Sequence, residues 1–355
     1  MFTNSSVALV HKERNSNLEL YRIIAMLLIV AHHYVVNSGL WTVMQSAPIY
    51  DQSLFLCLFG MWGKTCINCF VLITGYFMCK SEITWRKLKK LLFEIYFYSI
   101  TITSIFILTG YVEPSFHIIF YALVPLQFFG VNFVSCFLIF YLMIPFLNIL
   151  VRNMNQKQHL QLVGLCLLVY SIIGSIPKII LGVNYVSWFI VLYLIASYVR
   201  FYGFPVNFSN RQWGWWLLFS LVLSMASVAL LLHFSFLQGR VLPIFWFVSD
   251  SHHILAVITA LTSFMYFKDL KIKHSQLINA IGGSTFGVLL IHANSDMMRK
   301  WLWQDILNNV GQYGTDRIYL HAILSVIVVF IVCILIDRLR IRFVEKPLLE
   351  NKKLI

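Results

Sequence analysis

"LELYRIIAMLLIVAHHYVV", residues 18–36, is apolar enough to cross a bilayer, yet it carries Glu19 and Arg22 near one end and His32 and His33 near the other. A charged side chain at the centre of a membrane helix costs about 2.5–3.5 kcal/mol on insertion scales, so an ionisable residue there points to function. The rest of the chain shares the character of this stretch. Of 355 residues, 59% are hydrophobic and 12% charged, against about 25% charged in a soluble domain. Apolar runs near the ~20 residues that span a bilayer recur along nearly the whole length. These features predict an all-α, polytopic membrane protein forming one domain over 1–355.

Ten candidate spans are read from hydropathy and loop breakers: 18–37, 54–78, 90–110, 132–151, 160–176, 184–203, 213–234, 244–267, 280–298 and 318–341. The stretch 114–131 holds two prolines and reads as a partial or interfacial helix. Lysine and arginine divide unequally between alternate loops. Twenty fall at the N-terminus, in 79–90, 152–159, 200–212 and 268–279, and in the C-terminal region, against five in the intervening loops. By the positive-inside rule both termini are expected in the cytoplasm. The net charge of +13 is explained the same way, not by nucleic acid. The start lacks a basic region followed by an apolar core, so the first span is expected to act as an uncleaved insertion signal. Cys66 and Cys69 form a CxxC without a second pair at zinc-site spacing. Asp250, His252 and His253 resemble metal ligands by type only, since adjacent helix positions diverge by about 100°. No metal site is read.

Arg22 and His33 are eleven residues apart. At 100° per residue both project from nearly one face, about 16 Å apart along the axis. His32 points about 80° away from His33's cavity partner, Arg22, and is expected to leave their shared face. Glu19 is placed to pair with Arg22. Arginine suits phosphate because its planar fork binds two oxygens. Histidine is the usual base near neutral pH.

With these residues, and with "NCFVLITGYFM" (68–78), "IGGSTFGVLLIHAN" (281–294) and "RFVEKPL" (342–348), the chain resembles the integral-membrane acyltransferase-3 family along essentially its full length. The resemblance implies a membrane O-acyltransferase that moves an acyl group, most often acetyl, onto surface polysaccharide. Acetyl-CoA or another acyl-CoA is then the co-substrate, with no tightly bound cofactor. The acceptor is a glycan, free or lipid-linked, and the remaining partners are membrane lipids. His33 is the expected general base or acyl carrier, and Arg22 the second catalytic-site residue. Three departures stand out: Thr74 where the family often has serine, Lys89 in place of the second arginine of a basic patch, and Asn132 in place of tryptophan.

Arg22, Arg86, Lys89 and Lys90 are the candidate donor-binding residues, the last three sharing a helix face at i, i+3 and i+4. Asn68, Thr74 and His292 are candidates to line the cavity, with Thr74-Gly75-Tyr76 suited to close helix approach. Lys64 reads as structurally satisfied, and Glu345-Lys346-Pro347 as the stop of the last helix. A transporter or flippase of a small molecule or lipid-linked sugar is the competing class, since intramembrane arginine and histidine also suit substrate pathways.

Overall fold

The structure is a computed structural model that describes residues 14–124, 132–179, 181–248 and 250–350, the side chains to 348. The described residues are helical, without strands. In chain order the helices are α1 (Ser16–Val36), α2 (Leu40–Ser46), α3 (Tyr50–Gly60), α4 (Gly63–Met78), α5 (Trp85–Leu108), α6 (Phe116–Leu123), α7 (Phe133–Asn153) and α8 (Gln156–Cys166). There follow α9 (Tyr185–Tyr202), α10 (Asn210–Gln238), α11 (Ile254–Lys268), α12 (Gln276–Gly282), α13 (Thr285–His292), α14 (Asp296–Lys300), α15 (Asn309–Gln312), α16 (Ile318–Arg340) and α17 (Lys346–Glu350).

Polar residues set the helix starts. Asn132, Asn155, Asn184 and Ser209 each accept a backbone N–H from the first turn that follows, which satisfies a donor the helix itself leaves open. Asn132, where the resemblance leads one to expect tryptophan, is thus the cap of α7. Helix α9 is apolar on every side and buried at Trp188, Phe189 and Val191–Val199. Gly75 of α4 lets it approach: a Cβ there would stand 3.0 Å from the Cβ of Ala196 and 3.2 Å from the Cα of Tyr193. By contrast, α10 and α16 expose Phe219, Val222, Leu230, Leu324, Ile331 and Leu335. In a bilayer this is the lipid-facing surface, and helices satisfy their own backbone there.

Among the described residues, eight continuous helical segments are long and apolar enough to span a membrane, and a ninth arises from a bent pair. The remaining expected span, 244–267, yields only the fifteen-residue α11, because residues 244–248 turn instead of winding. The span expected over 280–298 does not run straight. Gln276–His292 and Asp296–Gln312 meet at 92°, broken where Ser295 caps α14 by accepting from Met298 N–H at 3.2 Å. The last helix does not stop at Glu345. A π turn over Ile341–Glu345 leads into α17, which contains Pro347. Of the stretch 114–131, α6 is described, and 125–131 lie outside the described residues.

Candidate functional site

Helix α1 packs on α4 through glycine. A Cβ on Gly63 would overlap the His32 ring, so α4 begins level with the two histidines of α1. At the opposite end of α1, Gly282 and Gly283 leave room for Glu19 and Arg14, which side chains there would strike. Between α1, α4, α5, α7, α12 and α13 lies a cavity of about 550 Å³. Arg14, Arg22, Lys87, Lys90 and Glu94 line one end of it. His32, His33, Lys64, Asn132, Asn294 and Arg299 line the other, with Met26, Ile29, Phe70, Thr74 and Ile95 between.

Arg22 donates to Glu19 at 3.1 Å, and Arg14 lies 3.5 Å from the same carboxylate. One acid thus holds two guanidinium groups at the cavity mouth. Lys90 pairs with Glu345 at 2.6 Å, and Arg340 reaches Glu345 at 2.6 Å, Asp337 at 2.9 Å and Glu94 at 3.1 Å. Tyr98 donates to Asp337 at 2.8 Å. The "RFVEKPL" segment is thereby wired to two residues of the cavity wall, Lys90 and Glu94. A Cβ on Gly287 would overlap Asp337, so this glycine is what admits the network between α13 and α16.

Arg86 and Lys89 are exposed on α5 and do not border the cavity; Lys87, Lys90, Leu91 and Glu94 present the lining face instead. Arg14, read only as a loop charge, also lines the mouth. His32 borders the cavity after all: its Nδ1–H donates to the Gly60 carbonyl at 2.6 Å, and the cavity is wide enough to reach both faces. Asn68 does not line it. This buried amide donates to the Ser251 carbonyl at 2.6 Å and accepts the Trp188 indole N–H at 2.8 Å. Thr74 lines the middle, its hydroxyl donating to the Phe70 carbonyl at 2.9 Å.

His292 is wholly buried behind His33 and is not on the cavity wall. Its Nδ1 stands 2.6 Å from the Val288 carbonyl, and its Nε2 stands 2.9 Å from His33 Nδ1. A carbonyl only accepts, so the neutral His292 carries its proton on Nδ1 and offers Nε2 as acceptor. His33 must then carry its proton on Nδ1. Its Nε2 keeps a lone pair, and no described residue takes it up. The arrangement is a bare imidazole nitrogen in a cavity about 16 Å along α1 from a guanidinium pair.

A family model described as an acyltransferase domain matches residues 15–338 of the chain. No curated protein and no solved structure matches it.

Proposed function

Because the chain belongs to the acyltransferase-3 family, and so to the membrane acyltransferases, we propose that it transfers acetyl from acetyl-CoA to a hydroxyl of a cell-envelope or exported glycan. The observation that carries this reading is the His33–His292–Val288 chain of hydrogen bonds, which leaves His33 Nε2 free to take a proton. The donor's phosphates sit at the basic mouth, on Arg14, Arg22 and Lys87, with Lys90 available if it leaves Glu345. The pantetheine arm follows α1 to His33. There the hydroxyl gives its proton to Nε2 as its oxygen bonds the thioester carbon. The C–S bond then breaks, and the imidazolium returns the proton to the coenzyme sulfur. No resident cofactor takes part. His292 acts as a positioning residue, because it sets which nitrogen of His33 is the base. The mouth faces the cytoplasm, where acetyl-CoA is made, and the protein sits in the plasma membrane.

The test uses the purified protein in nanodiscs with radiolabelled acetyl-CoA and host envelope glycan. His33→Gln keeps hydrogen-bonding ability but cannot accept a proton near neutral pH. It is expected to lower turnover by at least ~100-fold, within the usual range for general-base catalysis, while acetyl-CoA still binds. Kinetics should be sequential; ping-pong kinetics would instead mark an acyl-imidazole at the same nitrogen. Turnover of His33→Gln within a few-fold of wild type refutes the assignment.

A further inference from the structure

The cations on the cavity wall are not equally accounted for. Arg14 and Arg22 share Glu19, Lys90 has Glu345, and Arg299 has Asp296 at 2.9 Å. Lys87 donates to the Ser81 hydroxyl and the Glu82 carbonyl, both at 2.8 Å. Lys64 differs from these. Its ammonium donates to the Tyr185 hydroxyl and stands 5.1 Å from the centre of that ring. Among the described residues no carboxylate lies within ion-pair distance of it. A half-buried ammonium at membrane depth without a counter-ion is unfavourable, and such residues ordinarily pair or mark a substrate path.

Arg299 stands beside the same end of the cavity. Its carboxylate partner is 97% exposed, so that pair is screened by water and holds the guanidinium weakly. Its Nε is buried and unpartnered. Both cations lie within electrostatic reach of His33. Asn132 and Asn294 complete the wall, each with amide capacity beyond its one described bond, Asn132 to Val134 N–H and Asn294 to the Leu290 carbonyl. Amides of that kind recognise hydroxyl groups. The end beyond His33 therefore combines hydroxyl-binding amides with two cations, one of which lacks any acid.

We propose that this end is an acceptor site for an anionic glycan, with Lys64 as counter-ion to a carboxylate or phosphate near the reacting hydroxyl and Arg299 as a second contact. This rests on the acyltransferase reading above. The anion comes from an acidic sugar or from the phosphate of a lipid-linked one.

The experiment takes envelope glycan from the host cell in three portions: untreated, carboxyl-reduced, and treated with mild acid to cleave sugar–phosphate bonds. Each is offered with radiolabelled acetyl-CoA to the wild-type protein and to Lys64→Met and Lys64→Arg in nanodiscs. Wild type is expected to label the untreated glycan about ten- to a hundredfold better than the portion that has lost its anion, the range for a hydrogen bond to a charged group. Loss on carboxyl reduction assigns the acidic sugar, and loss on mild acid assigns the phosphate. Lys64→Met should erase the preference through acceptor KM, and Lys64→Arg should keep most of it. Equal labelling of all three portions by wild type, or a Lys64→Met defect equal on charged and uncharged portions, overturns the proposal and leaves the acyltransferase reading standing. No labelling of any portion by wild type overturns both.

Discussion

Replacing His292 by leucine removes the acceptor for the proton on His33 Nδ1 while filling the space with an apolar group. A buried N–H left unpaired costs about 1–3 kcal/mol. The imidazole escapes this by moving its proton to Nε2, which faces the cavity. At about 1.4 kcal/mol per factor of ten, that bias lowers the fraction of His33 with a free Nε2 lone pair roughly 5- to 150-fold. Turnover should fall by the same factor, with acetyl-CoA KM unchanged, because the proposed place of the donor's phosphates is the far end of α1. His292→Gln provides the discriminating control. Its amide can donate to the Val288 carbonyl and accept from His33 through its own carbonyl oxygen, which reproduces the polarity of the lost imidazole. It should recover most of the rate. The assay is steady-state transfer by each purified variant, with thermal unfolding in detergent to exclude collapse of the fold. Leucine within threefold of wild type, or glutamine as slow as leucine in an equally stable protein, refutes the tautomer argument.

At the cavity mouth, Arg22→Ala or Lys87→Ala should weaken acetyl-CoA binding by about 1.5–3 kcal/mol each, whereas Arg86→Ala, exposed and off the wall, should leave it unchanged; calorimetric titration reads both. Gly287→Ala pushes a methyl group into buried Asp337 and should destabilise the protein by about 1–3 kcal/mol, as overpacking of cores does, visible as a lowered melting temperature; an unchanged one would mean that α13 and α16 can separate freely. For topology, cysteines introduced in 79–90 should resist an impermeant thiol reagent added to intact cells, while ones in 38–52 react; the opposite pattern reverses the assignment of the mouth to the cytoplasm.

Helix periodicity alone placed Arg22 and His33 on one face, because both lie on the same uninterrupted helix. It did not choose between Arg86 and Lys87, one residue apart on α5, since that choice depends on how α5 is rotated against its neighbours. The partner of His33 was similarly hidden: His292 is 259 residues away, and only the packing of α13 on α1 brings the rings together. The bend after His292 had a local sign in Ser295, a good helix cap, but apolar residues on both sides masked it. The CxxC cysteines, which lack a second pair at zinc-site spacing, are both free and buried.

Lys90 has two claims on it. Its ammonium is held by Glu345 from the far end of the chain, yet it borders the cavity mouth where the donor's phosphates are proposed to sit. A phosphate at Lys90 would compete with Glu345 for the ammonium, and Glu345 keeps Arg340 as its other partner. On that proposal the turn Ile341–Glu345 is a tethered competitor of the coenzyme. Thermodynamic reciprocity then applies: whatever neutralises or removes Glu345 tightens the donor at Lys90, and donor bound at Lys90 loosens the C-terminal turn by the same free energy.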